Sequence, residues 1–182
     1  MIYEELFEGL YLIEDLLKPQ EFLTVVDEFN SEYNPWTWKH EFSKNTHWYG
    51  LSKVNADKLG ELTSHIYYGT TVGLIAKKIL KRDLTLLRIN TNIQFPGQAT
   101  EFHTDNPPGK KAWTVNLFAN TTWSAEWGGQ FVVNYSPKKY FGISPIPNHA
   151  VLFDGSMWHK GESGIPPCTV PRMTIAWTFV EP

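Results

Sequence analysis

The chain has 182 residues, enough for one packed core, and 15% of them are aromatic, including eight Trp. A formal net charge of −3, with no basic stripe and no charged tail, argues against a dedicated nucleic-acid or membrane-surface role. The single cysteine, Cys168, excludes an internal disulfide and suits a reducing cytosol.

The opening "MIYEELFEGLYLIEDLL" is acidic and has no basic n-region, so it does not read as a signal peptide. No uninterrupted apolar run reaches membrane-spanning length, and a cytoplasmic protein is expected. Within this stretch "GLYLIEDLL" reads as a short strand. "KPQEFLTVVDEFNSE" sets Phe22, Val25, Val26 and Phe29 at helical spacing, with Pro19 in the first turn. "NPWTWKHEFSKNTHWYG" is a Trp-rich irregular stretch. "NADKLGELTSHIYYGTTVGLIAKKILK" predicts a long helix, or two, beginning near the cap candidate Asn55.

From Asp83 the pattern changes to alternation. "LTLLRINTNIQF", "KAWTVNLFAN", "GGQFVVNY", "HAVLFDG" and "RMTIAWTFV" read as strands, separated by turn signals such as "FPGQ", "NPPG", "SPKK" and "SPIPN". The expectation is an α+β fold in one domain over 1–182. Residues 1–82 form a mainly helical support, and 83–182 a β-sandwich or jelly-roll core.

The segment "EFHTDNPPG", 101–109, places His103 and Asp105 two residues apart on a strand that ends in a turn, so both side chains share a face. That arrangement suits two metal ligands, and it equally describes a solvated Asp at a strand end beside a packed His. A third ligand comes from His40, His47, His65, His149 or His159. His159, late in "HAVLFDGSMWHKGESG", completes a 2-His-1-carboxylate set, which suits non-haem Fe(II) and leaves coordination positions open. His149 is its rival. No Cys-rich set points to zinc.

Only three arginines occur, Arg82, Arg88 and Arg172. Arg172 opens the last strand, where it can hold a dicarboxylate bidentately. Behind it Thr174, Ala176 and Thr178 share its face. Met173, Ile175, Trp177 and Phe179 share the other, which suits core.

The order and spacing of "HTD" (103–105), "WGG" (127–129), "PIPNHAVLFDG" (145–155), His159 and "RMTIAW" (172–177) resemble the Fe(II)- and 2-oxoglutarate-dependent dioxygenases, in particular their prolyl 4-hydroxylase-like branch. The resemblance covers roughly residues 83–180. It implies a double-stranded β-helix in which His103, Asp105 and His159 ligate Fe(II). It also implies 2-oxoglutarate and O₂ as cosubstrates, with the far carboxylate of 2-oxoglutarate on Arg172. The reaction implied is hydroxylation of an unactivated C–H, with release of succinate and CO₂. The substrate would be peptidyl proline or a small molecule.

Two departures stand out. Phe118 occupies the position where the oxygen-sensing hydroxylases carry a tyrosine that backs the far carboxylate. Thr114, Asn116 or Thr178 would then supply that hydrogen bond. Collagen-type enzymes often carry Lys where this chain has Arg172. Arg88, Trp36 and Trp38 are the residues expected to line the substrate's path. The alternative reading is a cupin-like metal-binding jelly roll without oxygenase chemistry. Asp105 argues against a halogenase, and Thr178, six residues after Arg172, against a nucleic-acid demethylase.

Overall fold

The structure, a computed structural model, describes residues 2–29, 51–55, 63–107 and 109–182. Trp36 and Trp38 lie outside the described residues. The elements in chain order are β1 (Ile2–Phe7), β2 (Leu10–Glu14), α1 (Pro19–Phe29), β3 (Leu51–Asn55), α2 (Thr63–Leu80), β4 (Thr85–Gln94), β5 (Ala112–Phe118), β6 (Phe131–Ser136), β7 (Lys139–Ile143), β8 (Ala150–Asp154), β9 (Trp158–Gly161) and β10 (Arg172–Val180). They form a seven-stranded sheet, β1-β2-β8-β5-β10-β4-β3, and a three-stranded sheet, β7-β6-β9. The two sheets make the double-stranded β-helix, and the fold is α+β. No helix of the described residues is long and apolar enough to cross a membrane.

Alternation along the strands builds two cores. Ile175, Trp177 and Phe179 of β10 and Trp113, Val115 and Leu117 of β5 join Val25, Val72 and Ala76 of the helices in one cluster. On the opposite face, Val151 and Phe153 of β8 meet Phe131 and Val133 of β6 between the sheets. α1 begins as its sequence indicates. Pro19 takes the first helical position, and the Glu21 carboxylate reaches back to accept the Lys18 amide at 3.1 Å. Phe22, Val25 and Val26 are buried on one stripe.

Trp177 is fully buried and is among the largest such side chains. Trp177→Ala is expected to lower stability by about 3–5 kcal/mol through lost transfer energy and the cavity left behind. Urea unfolding would read it as a lower midpoint at unchanged slope.

The N-terminal segment differs from its expected form as helical support. Among the described residues it supplies both α-helices, and also three strands of the larger sheet. β1 pairs antiparallel with β2, β2 with β8, and β3 with β4. β1 escapes the alternation test because it is an edge strand whose first four residues are exposed. Charge on an edge blocks further pairing and removes the apolar pattern. The cap candidate Asn55 is the last residue of β3, paired with Arg88, and α2 is described from Thr63. β7 and β9 are short strands defined by their pairing with β6.

Candidate active site

The backbone around His103 runs beside β9. The His103 amide donates to the His159 carbonyl at 2.9 Å, and the His159 amide to the His103 carbonyl at 3.0 Å. This exchange sets the two imidazoles side by side, with ring centroids 4.3 Å apart. The Asp105 amide donates to the Gly155 carbonyl at 2.7 Å, which turns its carboxylate toward the pair. One ligand atom from each of His103, Asp105 and His159 lies within 4.8 Å of the other two.

Tautomers follow from the partners. His103 Nδ1 is 2.9 Å from the Glu101 carbonyl and His159 Nδ1 is 3.0 Å from the Met157 carbonyl. A carbonyl only accepts, so each Nδ1 carries the hydrogen and each Nε2 presents a lone pair. Burial, outweighing the pull of Asp105, holds the His159 imidazole down at about 4. At neutral pH the 3.9 Å contact between His159 Nε2 and Asp105 Oδ2 is therefore not an ion pair. It is two lone-pair donors facing a common point.

Asp105 is held in turn. The Thr114 hydroxyl donates to Oδ2 at 2.7 Å, and Arg88 Nη2 donates to the Asp105 carbonyl at 3.0 Å and to Oδ1 at 3.4 Å. Thr178 Oγ1 lies 3.3 Å from Thr114 Oγ1.

Arg172 is 3% exposed. Its Nε donates to the Gly129 carbonyl at 2.7 Å and its Nη1 to Gln94 Oε1 at 2.7 Å. Nη2 is buried with no hydrogen-bond partner among the described residues. Burial pushes the guanidinium down to about 10, so it remains a cation at neutral pH. Among the described residues no carboxylate forms an ion pair with it.

Two glycines make this arrangement. A Cβ at Gly161 would stand 2.8 Å from Gln94 Oε1 and 3.1 Å from Arg172 Nη1. Gly129, at φ +71°, would press a Cβ to 2.6 Å from Trp123, which explains the "WGG" run. Gly161 follows His159 by two residues on the same face of β9. The Arg172 guanidinium thus lies beside the strand that carries His159, about 7 Å along it.

Such a site has a specific chemical content. Two neutral imidazole nitrogens and a carboxylate suit a divalent iron with open positions. A buried cation with one unspent donor suits a carboxylate ligand. A model of the 2OG-Fe(II) oxygenase superfamily matches residues 89–179, half of the chain. The chain belongs to that superfamily. It is an oxygenase that uses Fe(II), 2-oxoglutarate and O₂, and its donor set fits the first two.

No curated protein matches this oxygenase in sequence. Its fold is similar to several solved structures. One is a prolyl hydroxylase from Trichoplax adhaerens, in complex with a peptide fragment of the hypoxia inducible factor oxygen degradation domain. The TM-score is 0.72 at 17% identity, over 95% of this chain and 83% of that one. A Pseudomonas putida prolyl-4-hydroxylase gives 0.70 at 14%, over 95% and 92%. The alpha ketoglutarate dependent epimerase SnoN from nogalamycin biosynthesis gives 0.72 at 13%, over 95% and 79%.

The expected companions of Arg172 need correction. Thr114 and Thr178 pair with each other across β5 and β10 and stand beside Asp105, not Arg172. Thr178 is six residues from Arg172, about 20 Å along an extended strand. Asn116 lies between the two ends, paired with Ala176. Phe118 is at the predicted place. Its ring centroid is 5.7 Å from Arg172 Cζ, so a cation–π contact stands where a hydroxyl was sought. Arg88 lies at Asp105. His149, the rival third ligand, accepts the Phe118 amide at the end of β8 opposite Gly155.

Gln94 is the functional residue that sequence reasoning passed over. It is 3% exposed, directly opposite Arg172 on β4, and its amide also donates to the Gln98 and Gly161 carbonyls, both at 3.3 Å. Its signal was present as a polar residue at the inward parity of a strand, hidden by the adjoining "FPGQ" turn. Gln94→Leu leaves Arg172 Nη1 unsatisfied and is expected to cost about 1–3 kcal/mol of stability. Calorimetry on the same variant, loaded with Mn(II), should show weaker binding of 2-oxoglutarate.

Proposed function

We propose that this oxygenase hydroxylates an unactivated C–H of a prolyl residue in a peptide or protein. In this reading His103 Nε2, Asp105 Oδ2 and His159 Nε2 hold the iron, and Arg172 Nη2 holds the far carboxylate of 2-oxoglutarate. The observation that carries it is the buried, uncompensated guanidinium with one free donor beside the lone-pair cluster. When bound, iron and cosubstrate supply the oxidative chemistry, with succinate and CO₂ released. The chain's own residues orient and enclose. Met157 and Glu101 hold the imidazole tautomers, Thr114 and Arg88 aim the Asp105 carboxylate, and Phe131 and Phe153 pack on His159.

The prolyl part is supported by the run from "HTDNPPG" through "RMTIAW" and by the likeness of fold to two prolyl hydroxylases. A small-molecule substrate is the second reading, favoured by the equal likeness to SnoN. The cytosol is the compartment this reading assigns, in keeping with the buried, unpaired Cys168. The net charge of −3 speaks against nucleic acid as substrate.

Incubation with Fe(II), 2-oxoglutarate and a library of proline-containing peptides decides it. Succinate release and a gain of one oxygen on proline, seen by mass spectrometry, are expected. Succinate coupled only to a free metabolite would leave the oxygenase and remove the prolyl substrate.

A further inference from the structure

We infer that the inner face of β4 is the substrate wall, and that it recognises a peptide backbone through Asn90 and Arg88; this rests on the peptide reading above. Alternate residues Arg88, Asn90, Asn92 and Gln94 face between the sheets, as the contacts of Arg88 with Asp105 and of Gln94 with Arg172 establish. The two residues at the Arg172 end are committed. Gln94 holds the guanidinium, and the Asn92 amide donates to the Thr174 hydroxyl at 3.4 Å.

The two at the Asp105 end each keep one atom to spare. Asn90 Oδ1 and Arg88 Nε are buried and have no hydrogen-bond partner among the described residues. Buried polar groups are nearly always paired, and an unpaired one is costly. Here an unpaired acceptor and an unpaired donor lie two residues apart on one strand face. They adjoin the carboxylate of the triad, because Arg88 Nη2 is fixed on Asp105.

The ligand that completes both must offer a donor and an acceptor on one side. A hydrocarbon ring offers neither, and a lone carboxylate offers only acceptors. In an extended peptide, the N–H and C=O of one residue point the same way. Asn90 Oδ1 accepts that N–H and Arg88 Nε donates to that C=O. Proline has no N–H, so the residue read in this way is a neighbour of the proline. β4 therefore divides by role, with cosubstrate anchoring at Gln94 and substrate recognition at Arg88 and Asn90.

The test is calorimetry on protein loaded with Zn(II) and 2-oxoglutarate. The probes are blocked tripeptides, acetyl-Xaa-Pro-Xaa-amide, and their analogues in which ester oxygen replaces the N–H after proline. The wild type is expected to bind the best amide about 10-fold more tightly than its ester. Asn90→Leu should bind both equally and weakly, whereas Asn90→Asp, which keeps an acceptor, should retain the preference. An unchanged amide preference in Asn90→Leu overturns the proposal, as does the absence of tripeptide binding to a wild type that takes up 2-oxoglutarate. Failure of the wild type to bind 2-oxoglutarate at all would instead remove the cosubstrate reading on which this rests.

Discussion

Asp105→Asn is expected to lower the affinity for Fe(II), or for Mn(II) as its surrogate, by about 100-fold or more. Mutations of groups that merely orient ligands already cost about 10- to 100-fold, so loss of the one anionic donor should do at least as much. The substitution keeps the shape of the side chain and an oxygen for Arg88, so near-UV circular dichroism should be preserved. What it removes is the charge that two neutral imidazoles cannot replace. His159→Ala should also abolish stoichiometric metal. His149→Ala should not, because its backbone sits at the opposite end of β8 from Gly155, which anchors Asp105. Metal content after gel filtration checks all three. Stoichiometric metal in Asp105→Asn would mean that the carboxylate is not a ligand.

Arg172→Met is expected to separate stability from binding. In the wild type a fully buried cation has no counter-charge among the described residues, and its desolvation is repaid when an anion arrives. Removing it should weaken 2-oxoglutarate binding by about 2–5 kcal/mol, the usual cost of breaking a buried charge-assisted contact. Without 2-oxoglutarate, the Tm of the variant should equal or exceed that of the wild type. With saturating 2-oxoglutarate and Mn(II), only the wild type should rise further, because ligand linkage stabilises in proportion to occupancy. Calorimetry and thermal melts give the two readouts. Undiminished affinity in the variant would assign the cosubstrate carboxylate to another cation, such as Arg88.

Much of the site was legible because its rules are local. The spacing of His103 and Asp105, and the alternation that sets Arg172 and Thr174 against Ile175 and Trp177, follow from the two-residue period of a strand. α1 was legible for the same reason, at a period of 3.6. The triad also needed a distant partner. His159 was one of five candidate histidines, and the order of motifs in the family resemblance singled it out.

The sequence alone thus determined the faces of the strands, the identity of the lone-pair donors and the cation, and the jelly-roll class. Tertiary structure decided which strands became neighbours. Alternation says which side a residue faces and nothing about what lies across from it. Thr114, Asn116 or Thr178 was expected to back the carboxylate held by Arg172, yet the pairing of β5 with β10 put both threonines at Asp105. Gln94 became the partner of Arg172 because β4 pairs with β10 in a register that sets the two opposite each other. β1 and β3 became strands through pairing at the edges of the sheet, and along β1 the first four residues are exposed, so the apolar pattern fades. The hydrogen bonds that define a sheet join residues far apart in the chain, so no local period encodes them.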